Sequence, residues 1–169
     1  MDIISHALIG RVLVTPRSPR KDVFWVMAFA ALPDLFQIPL YLFLGYVKQR
    51  PFWIPLTADW TGFRAAYPEW ILWWDIPHSF LFLGLVITPW VLWRRLNRWL
   101  IAAYFSHLFV DLFTHTGEWG VKPFFPVNYI VSGFTDAWAW DYWQFPIAWA
   151  VLVVIIWLSD RWRTRLRVE

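Results

Sequence analysis

The sequence has no cysteine among its 169 residues, which excludes a disulfide framework and thiolate metal ligands and leaves the redox compartment unmarked. Charge is scarce too. Only 16% of residues are Asp, Glu, Lys or Arg, against about 25% in soluble domains. There is no Gly-rich phosphate loop, no His-Glu-x-x-His pattern and no Ser-His-Asp set in a recognisable context, so the familiar nucleotide-binding and metalloprotease signatures are excluded. Internal repeats and low-complexity segments are absent. The N-terminus shows no basic stretch followed by an apolar run and a small-residue cleavage site, so no cleavable signal peptide is expected. The net charge of +3 comes from basic residues beside apolar segments rather than along one polar face, and no nucleic-acid partner is expected.

What is abundant is apolar surface. The chain is 59% hydrophobic with mean hydropathy +0.44, and its 16 tryptophans suit the membrane–water interface, where an apolar ring and an N–H are both satisfied. The length fits one domain, 1–169. Four stretches are apolar enough to span or nearly span: Val23–Tyr46, Trp70–Trp93, Trp99–His115 and Phe145–Leu158, a crossing needing about 20 residues. Met1–Val14 is too short to cross and reads as an interfacial helix or a half-helix. The expected fold is therefore an all-α, multi-pass transmembrane bundle of four spans plus an N-terminal half-helix.

Basic residues orient it. Eleven of the 15 Lys and Arg fall in the loop Arg11–Lys21, the turn Arg94–Arg98 and the tail Arg161–Arg167. The positive-inside bias puts these, and the C-terminus, in the cytoplasm, with Val47–Glu69 and Thr116–Gln144 outside. The run Ala137–Trp143 reads as part of an aromatic belt.

The ionisable residues inside the apolar runs stand out. His107 and Asp111 are four apart within Ser106-His107-Leu108-Phe109-Val110-Asp111, hence on one helix face with Cβ atoms about 6 Å apart, within reach of one ion or of each other. His115 continues that face and reads as an interfacial histidine or a further ligand. Asp34 follows Pro33, and His78 follows Pro77. Each proline withholds a helix hydrogen bond next to the polar residue. At about 1.5 Å per residue, Asp34, His78, His107 and Asp111 all lie about 12–18 Å from the inner edge. A rising half-helix brings His6 to the same level. Ionisable groups at membrane depth are functional candidates by default, and imidazole with carboxylate is a zinc-type ligand set.

At these residues the chain resembles the bacterial membrane-bound metal-dependent hydrolases of the YdjM type. The resemblance rests on Ile4-Ser5-His6-Ala7-Leu8-Ile9-Gly10, Ala31-Leu32-Pro33-Asp34, Pro77-His78-Ser79, and Tyr104 to Asp111 running on to Gly117 and Pro123-Phe124. It covers roughly residues 1–126, and the ordered set is also similar to part of the zinc-dependent phospholipase C pattern. It implies His6, Asp34, His78, His107 and Asp111 as ligands of a divalent metal, zinc first, in the inner membrane. The chain departs from the family where Phe36 replaces a second acidic residue and where Trp73-Trp74 replaces His-Arg. Asp75 and His115 are the groups placed to compensate.

The function expected is metal-dependent hydrolysis of a phosphoester or lipid-linked substrate, with membrane lipid as the surrounding partner. Asp34 or Asp75 would act as base, Ser79 would orient a ligand, and Asp75 and His115 would line a route from the outer face. The competing expectation is a non-catalytic membrane protein whose cluster binds metal structurally or relays ions.

Overall fold

The computed structural model describes residues 2–141 and 143–165, without the side chain of Trp138. Tyr142 of the aromatic run and Arg167 of the basic tail lie outside the described residues. Among those described the chain is all-helical, its one extended pairing being an isolated antiparallel bridge between Val121 and Val131.

Helix α1 (Ile3–Leu13) begins where Asp2, in extended backbone, accepts the N–H groups of Ile4 and Ser5 at 3.0 Å each, satisfying donors that the first turn leaves unpaired. This is the expected half-helix, and it packs against three others. Gly10 makes the packing close: a Cβ there would lie 2.6 Å from the Ala30 Cβ. Small residues that let backbones approach are a common basis of helix association in lipid.

Helices α2 (Arg20–Leu35) and α3 (Ile38–Val47) together form a run of 28 residues. Pro33 and Pro39 supply no N–H to the ladder. The chain turns at Phe36 and Gln37, where the Gln37 N–H donates to the Asp34 carbonyl at 3.0 Å. Asp34 thus sits in the last turn of α2.

The expected span Trp70–Trp93 is broken. Leu72–Asp75 makes one helical turn, and Ser79, in extended backbone, caps a new helix by accepting the Leu81 N–H at 3.1 Å. Helix α4 (Phe80–Trp93) follows, with one wide turn over Leu83–Ile87 just before Pro89. Helix α5 (Trp99–Thr114) and helix α6 (Gln144–Arg165) complete the set. Among the described residues, only Arg20–Val47 and Gln144–Arg165 are long and apolar enough to cross a membrane. Helices α4 and α5 are shorter than the roughly 20 residues of a full crossing, because a serine cap and the basic turn between them end the ladders early.

Two apolar cores form. One joins Val26, Phe29 and Ala30 of α2 to Leu83, Val91, Tyr104 and Leu108. The other is aromatic and gathers Leu40 and Leu44 of α3 with Trp60, Phe63, Trp74 and Trp119. Helix α6 lies outside both, with Ile147, Val151, Val154 and Leu158 about half exposed. Three polar contacts tie it to the N-terminal segment. Arg11 pairs with Asp160 at 2.6 Å, the Trp149 indole donates to Asp2 at 3.1 Å, and Arg163 donates to the Val14 carbonyl at 2.8 Å.

Candidate metal centre

Between the two cores lies a group of buried polar side chains. Helix α5 carries His107, Asp111 and, just past its end, His115 on one face. The His107 Nδ1 meets the Ala30 carbonyl at 2.7 Å, and the His78 Nδ1 meets the Trp74 carbonyl at 2.8 Å. A carbonyl only accepts, so both Nδ1 atoms donate and, in the neutral rings, both Nε2 atoms carry lone pairs. The His78 ring also stacks on Trp74, with centroids 4.1 Å apart. Its preceding turn is pinned by the Tyr104 hydroxyl, which donates to the Pro77 carbonyl at 2.7 Å. Gln37 Nε2 donates to Asp34 Oδ1 at 2.8 Å across the α2–α3 turn.

These constraints aim four acceptors at one point. His107 Nε2 lies 2.9 Å from Asp111 Oδ2 and 3.2 Å from His78 Nε2, and His78 Nε2 lies 3.4 Å from Asp111 Oδ2. Asp34 Oδ1 stands 3.8 Å from each histidine Nε2. Ligands bound at about 2.0–2.2 Å to a tetrahedral zinc sit roughly 3.4 Å from one another, and these separations scatter around that value. Two Nε2 lone pairs turned towards carboxylate oxygens are unfavourable in a dry interior. The set is one that a cation satisfies. The buried group Asp34, His78, His107 and Asp111, with ligand atoms within 4.8 Å of one another, can hold a metal ion.

Asp111 also faces the other way. Its Oδ1 lies 3.1 Å from His6 Nε2 and 3.2 Å from His115 Nε2, and the Thr114 hydroxyl approaches the same oxygen at 3.4 Å. The His6 ring stacks on His107 with centroids 3.6 Å apart, and its buried Nδ1 has no hydrogen-bond partner among the described residues. Asp34 Oδ2, 4.0 Å from His6 Nε2, accepts no hydrogen bond from the described residues either. All six residues expected as ligands therefore meet in one place, with Asp111 shared between two sides.

Asp75 and Ser79 have other company. Asp75 is buried and ion-paired at 3.0 Å both to Arg64 and to Lys122. The Ser79 hydroxyl caps α4 and donates to the Pro123 and Phe125 carbonyls at 3.2 and 3.3 Å. The expected route past Asp75 and His115 is closed, since those residues are 2% and 1% exposed. A cavity of about 1010 Å³ instead reaches the centre at Asp34, which at 8% exposure is the most accessible of the six. Gln37, which holds Asp34, gave no signal beyond being a polar residue in an apolar run.

No family model matches the chain, and no curated protein or solved structure matches it.

Proposed function

We propose that this chain is a membrane-embedded metal-dependent hydrolase of the YdjM type. In this reading it crosses the bacterial inner membrane several times with a cytoplasmic C-terminus and cleaves a phosphoester in a lipid or lipid-linked substrate. The observation that carries it is the convergence of four buried acceptors at tetrahedral spacing beside a cavity that reaches one of them. Asp34, His78, His107 and Asp111 would hold a zinc ion, with His6 and His115 on the far side of Asp111 completing the site or holding a second ion. Zinc supplies Lewis acidity and a nucleophile at neutral pH.

The chain's own groups account for the rest. The carbonyls of Ala30 and Trp74 fix the imidazole tautomers, an outer contact that orients metal-binding rings. Asp34 lies on the cavity wall, and its free Oδ2 is the group placed to take a proton. Water supplies oxygen to phosphorus, the bond from phosphorus to the departing alkoxide breaks, and that alkoxide leaves with a proton. Asp75, held by two cations, keeps the 64–75 segment and the 122 loop together behind Trp74.

The test is elemental analysis of purified protein together with hydrolysis of bis(p-nitrophenyl) phosphate. Stoichiometric zinc with hydrolysis abolished by His107→Ala supports the reading. Zinc with no turnover of any phosphoester would favour the other reading, a structural or ion-relaying site, for which the burial of His6, His78, His107 and Asp111 speaks, since structural sites are closed.

A further inference from the structure

The cavity beside Asp34, about 1010 Å³, is at the upper end of the range for small-molecule sites, roughly 300–1,000 Å³. It is bounded by the start of α1, the α2–α3 turn, the loop around Trp60 and the start of α6. Its walls are apolar, with Ile3, Ile4, Ile38, Leu42 and Phe145 among them, and no Lys, Arg or His lines it among the described residues. The polar groups are few. Asp34 and Gln37 are bonded to each other, Asp2 is engaged in capping α1 and accepting the Trp149 indole, and the hydroxyls are those of Tyr41 and Thr57.

That lining selects a chemical class. A sugar or nucleoside would bury several polar groups against isoleucine and leucine, each costly without a partner. A polyphosphate reaching away from the centre would set its outer charges against Asp2 and apolar walls, where no Lys, Arg or His lines the cavity among the described residues. A hydrocarbon chain meets neither penalty. The rim also suits one: Ile4, Ile38 and Leu42 are 49%, 47% and 42% exposed, so the cavity opens along an apolar lip.

We infer that this cavity seats the hydrocarbon chain of an amphiphilic substrate, a long-chain alkyl or prenyl phosphoester whose single phosphate meets the centre beside Asp34 and Gln37. The chemistry rests on the hydrolase reading; the seat rests on the cavity alone.

Two p-nitrophenyl phosphodiesters of equal charge test it, one with a dodecyl and one with a methyl group, on the full chain in lipid nanodiscs. The dodecyl ester is expected to have the higher kcat/KM, and Leu42→Trp or Ile38→Trp, which fill the cavity, should lower the dodecyl-to-methyl ratio about tenfold with zinc retained. A ratio near one in the native chain, or one that filling leaves unchanged, overturns the inference. In parallel, a diazirine-tagged dodecyl phosphate is cross-linked to zinc-free protein and the label is mapped by mass spectrometry. Label in residues 37–42 that Leu42→Trp removes supports the seat, even if neither ester is hydrolysed; in that case the hydrolase reading falls and the seat stands. Label confined to the outer face of α6 overturns the seat.

Discussion

At the scale of single residues, the centre is a set of acceptors held in place by neighbours that are not themselves ligands. Removing a ligand and removing a neighbour should therefore differ in degree. His107→Ala and Asp111→Ala each delete an atom from the converging set and should abolish zinc binding in elemental analysis, whereas Trp140→Ala, out on the cavity wall, should keep the metal. Gln37→Ala leaves every ligand in place but releases Asp34 Oδ1 from its 2.8 Å bond. Losing such an orienting contact costs 10- to 100-fold in metal affinity, measurable by competition with a chelator of known strength; an unchanged affinity would show that Asp34 does not need holding. The converging residues were readable because ionisable groups in apolar runs are conspicuous and a spacing of four has one helical meaning. Asp75 was misplaced by the same logic. Its depth was inferred from a continuous span, but its ion pairs reach it from Arg64, in the short helix Phe63–Ala66, and from Lys122 in a loop, a pairing that no periodicity announces.

At the scale of elements, the fit of α1 against α2 decides where His6 stands. Gly10→Ala places a methyl 2.6 Å from the Ala30 Cβ, a side chain with no rotamer to move. Overpacking of this kind costs about 1–3 kcal/mol, and it should also weaken zinc binding as His6 is pushed from Asp111. Gly84→Ala is the control: it meets nothing within 4 Å and should be neutral or stabilising by about 0.5–1 kcal/mol, the usual gain from replacing a helical glycine. Thermal unfolding of both variants checks the pair; equal melting temperatures would mean that α1 is loosely seated. The existence of most helices was legible in the sequence, yet their breaks were not. Hydropathy sums side chains and is blind to backbone hydrogen bonds, so a run such as residues 70–93 reads as unbroken even though Ser79 stops one ladder and caps the next. The prolines signalled a disturbance without saying whether the helix would bend or end.

At the scale of the whole molecule, the two testable properties are orientation and dependence on metal. The absence of cysteine makes single-cysteine labelling clean. In intact cells Tyr129→Cys, 60% exposed in the loop before α6, should react with an impermeant maleimide, and Arg17→Cys should react only after lysis. The reverse pattern would invert the charge-derived topology. A ligand that binds only the folded state stabilises it by about 4 kcal/mol at a thousandfold excess over its Kd, so a strong chelator should lower the melting temperature by several degrees; no shift would argue against a tightly held ion. The stacking of His6 on His107 also bears on how the protein is made. Synthesis delivers α1 first, but its partners on α5 emerge roughly a hundred residues later, and closing so long a loop has an entropic cost that a metal clip offsets. In the proposed reading α1 would seat on α2 first, and the ion would be bound last, once α5 supplies His107 and Asp111. Nascent chains halted before Ser106 should retain no zinc, and those released after His115 should, so metal uptake would time-stamp completion of the bundle during biosynthesis.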